Sequence, residues 1–120
     1  MGKILKRLLA PLNAYEENIL MPEVVKCLGR HIGRDQAITN RKMCEALEDW
    51  GYEVSGIRMR KIINYIRRHK LIKCLVASNR GYHVTRDKDE MCSYIASIQG
   101  RIDALVELKD ALVEQLAEMT

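Results

Sequence analysis

The sequence lacks phenylalanine altogether, and aromatic residues make up only 5% of its 120 residues. Proteins that hold single-stranded DNA or RNA stack the bases on aromatic side chains, so they need several such platforms. The stacking candidates here are Tyr65, Tyr82 and His83. Single-stranded nucleic acid is therefore the least favoured polymer ligand.

Paired cysteine motifs are also absent. Each of the four cysteines falls in a predicted helix or strand beside apolar neighbours, which favours buried free thiols. Their wide spacing gives no support to a zinc site shared with the three histidines. We therefore expect no metal and no other cofactor. The four cysteines are Cys27, Cys44, Cys74 and Cys92.

Long apolar runs and catalytic motifs are missing as well. The apolar part of residues 1–12 is interrupted by Lys6 and Arg7, so it predicts neither a signal peptide nor a membrane span. A reducing, cytoplasmic location is the corresponding expectation. No Ser/His/Asp or Cys/His grouping, phosphate loop or paired-carboxylate motif occurs, so the sequence does not predict an enzyme.

Charge divides the chain into a basic body and an acidic tail. Residues 1–86 hold 17 Lys and Arg against 8 Asp and Glu, whereas residues 87–120 hold 3 against 8. A basic body suits a polyanionic partner that would repel the tail, so the two parts have different roles. We predict a basic amphipathic segment over residues 1–20, a single small core over 21–86, and a helical arm over 87–120.

Helical spacing dominates the first half of the chain. The first segment has this spacing as far as Pro11, and a short helix packed on the body or on a partner subunit is favoured over a membrane-surface helix. A helix over residues 21–31 follows, then a small edge strand over 34–39. Thr39 or Asn40 caps the next helix, which Gly51 ends. Its predicted buried stripe is Met43, Ala46, Leu47 and Trp50.

The following helix carries the most informative surface. Its predicted core face, at a rotation of roughly 100° per residue, contains Met59, Ile62, Ile63 and Ile66. Cations suit phosphate groups, and an amide can pair with the edge of adenine, so the other face predicts contacts with nucleic acid. A merely solvated basic face is the plainer alternative. The candidate residues are Arg58, Lys61, Asn64, Tyr65 and Arg68.

A second basic element comes directly after this helix. Residues 72–77 and 82–85 read as two strands, and the cluster at 78–81 reads as the turn of a hairpin. Two basic elements in this order favour a duplex, with the helix in the major groove and the hairpin on the backbone. The candidate residues of the hairpin and its flanks are Arg41, Lys42, Lys73, Asn79, Arg80 and His83.

At this point the chain resembles the winged helix-turn-helix family, as found at the amino end of biotin-operon repressors and in small bacterial and phage regulators. The resemblance covers about residues 23–86 and implies that the helix with Lys61 binds DNA. The chain departs from the pattern at His69, where a glycine commonly ends that helix. Arg60 and Arg67 match the motif, and an ion pair with a neighbouring acid or a DNA contact would suit each of them. The matching positions are Met59-Arg60, Ile63, Ile66-Arg67, Leu71-Ile72 and Gly81-Tyr82-His83-Val84.

The acidic tail reads as one long helix with an apolar seam. Seam residues alternate by four and three, which is a heptad pattern that a lone helix in water leaves unsatisfied. A second subunit, the first segment, or both would cover it, and a homodimer is the preferred interpretation. Lys109 is its polar position, a type of residue that fixes register or oligomer number. The seam is Met91, Ile95, Ile98, Ile102, Leu105, Lys109, Leu112, Leu116 and Met119.

These patterns predict a fold that is mainly α with a small β-hairpin, a winged helix-turn-helix followed by a coiled-coil-like helix. The predicted function is sequence-specific binding of double-stranded DNA by a homodimer, as a transcriptional regulator or a phage or mobile-element accessory protein. The alternative is a winged-helix adaptor that assembles proteins without binding DNA. Whether the two tail helices run parallel or antiparallel stays open at this point.

Overall fold

The computed structural model describes residues 11–119, so the predicted helix over the first ten residues lies outside the described part. The α+β class, with a hairpin and a long C-terminal helix, is confirmed. A π-helical turn and a 3-10 turn precede and follow the first helix. The elements are the π-helical turn Glu16–Leu20, α1 Met21–Leu28, the 3-10 turn Arg34–Gln36, α2 Asn40–Asp49, α3 Gly56–Arg68, β1 Leu75–Ser78, β2 Gly81–Val84 and α4 Lys88–Glu118.

The core of the body is built from one face of each short helix and from β1. The predicted core face of α3 is confirmed, because Met59, Ile62, Ile63 and Ile66 are all buried. Apolar residues of this size each contribute roughly 1.5–3 kcal/mol when they leave water. The residues that pack against them are Leu20, Val24, Leu28, Met43, Leu47, Val54 and Leu75.

The stripe of α2 is correct except at its end. Met43 and Leu47 are buried, but Trp50 is 71% exposed, so its predicted burial is wrong. The helix ends at Asp49, and Trp50 itself has a non-helical ψ of 3°. Gly51 then takes a φ of 93°, which ends the helix as predicted. Because the helix ends before Trp50, the side chain of Trp50 does not continue the buried stripe of Met43 and Leu47.

The hairpin is antiparallel, with Ser78 paired to Gly81 across the turn. Its first strand begins later than predicted because the preceding residues form a turn in which Cys74 has a φ of 62°. The predicted edge strand over residues 34–39 is largely wrong, since residues 34–36 form the 3-10 turn. Only Ile38 pairs with the hairpin there, through two hydrogen bonds with Tyr82 of 2.8 and 2.9 Å.

The body begins earlier than residue 21. Leu20 belongs to the core and Glu16 is 2% exposed, so the π-helical turn packs on the body and leads directly into α1. This helix is shorter than predicted, since it ends at Leu28 and Gly29 follows as its C-cap. The chain divides after Arg86 into two compact units.

The second unit is α4, which begins at the cap Asp87 and has no buried residue.

Cysteine burial follows from this layout. Cys27 and Cys44 are half-buried, but Cys74 in its turn and Cys92 on α4 are exposed, so the prediction of buried thiols is wrong for these two. Within residues 11–119, none of the helices combines the length and apolar character needed to cross a bilayer.

Candidate nucleic-acid interface

The turn of the hairpin lies against the residues that lead into α2. Gly81 has a φ of 116°, and a Cβ atom built on it would stand 2.3 Å from the carbonyl oxygen of Ile38 and 2.7 Å from the backbone nitrogen of Thr39. Such a close approach of two backbones is possible only where one residue has no side chain. The glycine therefore seats the hairpin turn at the start of α2.

The start of α2 is in turn joined to the start of α3. The side-chain amide of Asn40 donates a hydrogen bond of 3.1 Å to the carbonyl oxygen of Gly56. Both helices are capped, because Thr39 accepts a hydrogen bond from the backbone of Lys42 and Ser55 accepts one from the backbone of Arg58. The hairpin turn and two positive helix ends thus converge, and we call residues 34–42, 55–58 and 79–81 the convergent end.

The convergent end carries exposed cations from three elements. Arg41 and Lys42 are exposed at the start of α2, and Arg80 is exposed in the hairpin turn. Arg34 of the 3-10 turn joins them, since its guanidinium donates to the side-chain oxygen of Asn79 at 3.4 Å. Four of the predicted residues, Arg41, Lys42, Asn79 and Arg80, are therefore brought together.

Two acids accompany these cations, and both ion pairs are open to solvent. Arg41 lies 3.2 Å from Glu45, and Arg80 lies 3.5 Å from Asp35. Exposed pairs of this kind contribute about 0–1 kcal/mol, so exchanging the acid for a phosphate costs little. These arginines are available to an anionic ligand.

Arg58 and Lys61 of α3 have a different environment. Both pair with the carboxylate of Glu16, at 3.0 Å from Arg58 and 2.8 Å from Lys61. The side chain of Glu16 is 3% exposed and that of Lys61 only 22%. An ion pair removed from water in this way is held by its own geometry, and separating it leaves a charge without compensation. These two candidates are therefore already engaged within the body.

Hydrogen bonds with Asn13 also hold Glu16 in place. Its backbone nitrogen donates to the side chain of Asn13 at 2.8 Å, and its carboxylate accepts from the backbone nitrogen of Asn13 at 2.9 Å. Burial opposes the charged form and would raise the pKa of this carboxyl. The hydrogen bonds from Lys61, Asn13 and Arg58 outweigh burial, so the pKa of Glu16 is lowered from its ordinary value of 4.5. The carboxylate is ionised throughout the neutral range.

Three predicted residues lie far from the convergent end. Arg68 is twelve residues along α3 from Gly56, which is about 18 Å at the helical rise. Tyr65 is near the same end of α3 and stacks on His69, with ring centroids 4.0 Å apart. Lys73 precedes β1, whose Leu75 pairs with Val84 at the end of the hairpin opposite the turn. The structure thus divides the predicted surface into two parts.

His83 does not lie on the surface. It is 1% exposed within β2, so it cannot contact a duplex in this conformation, and its predicted role is not supported by its position. Side chains of successive strand residues point to opposite faces of the hairpin, and the side chain of His83 lies on the inner, buried face. Asn64 is half-buried on α3, whereas Arg60 is exposed there.

Sequence patterns had missed two residues of this region. Glu16 lies 45 positions from Lys61, and Arg34 lies 45 positions from Asn79. No local signal links residues at such separations, although a glutamate that interrupts an apolar helical segment could have suggested a buried partner. Among the described residues, no group of three or more His, Cys, Asp or Glu side chains is placed to hold a metal ion.

Comparisons of the chain with protein-family models, with curated proteins and with solved structures returned no match.

Proposed function

We propose that this protein binds double-stranded DNA through the convergent end, as a homodimer held together by α4. The observation that carries the proposal is the meeting of the hairpin turn with the starts of α2 and α3, which gathers exposed cations from separate parts of the chain. Cations on adjoining elements suit the regular spacing of phosphates along a duplex.

Each element has a distinct part in this proposal. Arg34, Arg41, Lys42 and Arg80 contact phosphates, which supplies affinity without sequence preference. Base contacts come from α3, where Arg60 is exposed and the amide of Asn64 is half-buried. Arg58 and Lys61, held by Glu16, set the position of α3 and add to the positive potential. We expect this arrangement of a winged helix bound to DNA.

The dimer belongs to the proposal because two such bodies combine their contacts and select two spaced half-sites. The apolar side chains of the α4 seam are exposed from Ile95 to Met119, as expected of a surface that a second copy covers. A role as a transcriptional regulator or as an accessory protein of a phage or mobile element follows from such binding. Its four free cysteines suit the reducing cytoplasm.

Removing two cations from the convergent end tests the DNA contact. The double variant Arg41→Ala, Lys42→Ala should weaken binding to a mixed-sequence duplex by about 10- to 100-fold. The slope of log K against log salt should fall by about two, because one counterion is released per phosphate contact. Fluorescence anisotropy of the full chain over a salt series measures both quantities.

Lys26→Ala with Arg30→Ala is the matched control, since it removes the same charge from exposed positions at and just after the end of α1. Equal slopes for the two double variants would remove the convergent end from the interface. If the unaltered protein fails to bind a duplex even at low salt, DNA binding itself is excluded.

A single charge in the seam tests the dimer. Leu105→Glu should yield a monomer in sedimentation equilibrium and weaken duplex binding by at least about tenfold, because a buried, unpaired carboxylate opposes association. Ala104→Glu adds the same charge one residue away, outside the seam, and should remain a dimer. Identical sedimentation of the two variants would contradict dimerisation through this seam.

An adaptor that assembles proteins is the second candidate. A groove of about 500 Å³ runs between α1 and the end of α2, and the exposed Trp50 forms part of its lining. Large exposed aromatic side chains are enriched at protein interfaces. This candidate becomes the preferred one if the salt series detects no duplex binding.

A further inference from the structure

The exposed seam of α4 leaves open how a second copy would lie on it, and two features of the helix bear on direction. One is Lys109 within the seam, and the other is the uneven distribution of acids along the helix. Both act on the dimer described under the proposed function, on which this inference rests.

Lys109 disfavours a parallel pair. In a parallel, in-register coiled coil, identical positions of the two helices face each other, so the two Lys109 ammonium groups would meet across the seam. Lys109 lies 3.6 Å from Asp110 of the same helix, and the side chain of Lys109 is 68% exposed. Such an exposed pair gives little compensation for like charges brought together.

An antiparallel pair removes this conflict. In an antiparallel coiled coil, the a positions of one helix face the d positions of the other. The two registers that pair eight of the nine seam residues in this way place Lys109 opposite Ile98 or Leu105 of the second copy. The aliphatic stem of lysine can pack on such a residue while the ammonium group reaches water. The polar position then costs less than in the parallel pair.

The distribution of acidic residues along α4 also favours the antiparallel direction. Residues 88–102 hold two cations and two acids, whereas residues 103–118 hold one cation and five acids. A parallel pair would lay the two acid-rich halves side by side, and an antiparallel pair lays each of them on a half that is nearly neutral. Antiparallel helix dipoles add to this preference because opposite ends then lie close together.

We propose that α4 associates with a second copy of itself in the antiparallel direction. The two starts of α4, where each chain leaves its body, then lie at opposite ends of the helix pair. The DNA-binding bodies are then attached at opposite ends of the helix pair, and this attachment sets the spacing of the half-sites.

Spin-label distances on the full chain test the direction. Cys92 is exposed on α4, and replacing the other exposed thiol by Cys74→Ser leaves Cys27 and Cys44, whose pKa is raised by burial and whose reaction with the label is therefore slow. In the antiparallel registers the two labels should be about 35–45 Å apart along the axis. A parallel pair gives less than about 25 Å, since paired helices lie about 8–10 Å apart.

Moving the label provides an internal control. Gln99→Cys with Cys92→Ser shifts it by seven residues at the same heptad position, so the distance should shorten by about 21 Å in an antiparallel pair. An unchanged short distance at both sites indicates a parallel pair and overturns the direction alone. A complete lack of dipolar coupling at both sites indicates a monomer and overturns the proposed dimer together with its direction.

Discussion

Replacing Gly81 by alanine is expected to lower the free energy of unfolding of the body by about 3–5 kcal/mol. Two costs combine at this position. The φ of 116° disfavours any residue with a Cβ, and the new methyl group would overlap the backbone of Ile38 at 2.3 Å. Backbone atoms cannot turn aside as a flexible side chain can, so the hairpin must move away from the start of α2.

Gly33→Ala is the matched control for Gly81→Ala. Gly33 also has a positive φ, of 87°, but nothing lies within 4 Å of a Cβ built there. With a ψ of 152°, Gly33 has a conformation that is essentially confined to glycine, so only this conformational cost of about 1–3 kcal/mol should appear. Hydrogen exchange of the buried α3 amides measures the difference without interference from α4, and Gly81→Ala should reduce protection by about 10²- to 5 × 10³-fold. Equal losses in both variants would show that the contact with Ile38 contributes nothing.

Glu16→Gln is expected to lower the free energy of unfolding by about 2–3 kcal/mol at pH 7. The substitution keeps the shape of the side chain but leaves Arg58 and Lys61 without their shared carboxylate. Because the side chains of Arg58 and Lys61 are 37% and 22% exposed, solvent screens part of this loss. Glu17→Gln is the control, since this exposed neighbour should change stability by no more than about 0.5 kcal/mol.

The pH dependence of this contribution has a definite sign. The folded-state pKa of Glu16 lies below its ordinary value of 4.5, so the unfolded chain takes up the proton first. The stabilisation is complete above the ordinary value and is lost as the pH falls through the lowered one. Hydrogen exchange of the α3 amides at neutral and acid pH should therefore show the unaltered protein and Glu16→Gln converging at low pH. A constant difference would mean that the ion pairs are not its source.

The sequence by itself determined the features that depend on neighbouring residues. Helical rotation placed Met59, Ile62, Ile63 and Ile66 on one face, and all four are buried. Local hydrogen bonding limited the cap to Thr39 or Asn40, of which Thr39 is the cap, and Gly51 ended α2 because it accepts a positive φ. Composition and periodicity change at Arg86, where the chain divides into two compact units. Each of these features follows from residues within a few positions of one another.

Only the tertiary structure decided which distant residues meet. It brought Glu16 onto Arg58 and Lys61 from 42 and 45 positions away, and so engaged two cations that helical rotation alone had assigned to the surface. It also joined the hairpin turn to the starts of α2 and α3. Periodicity predicts which face of one helix or strand is buried. It does not predict which residues of different elements come into contact, because those contacts depend on how the whole chain folds. Burial and ion pairing depend on these contacts between distant residues, so no local sequence pattern predicts them.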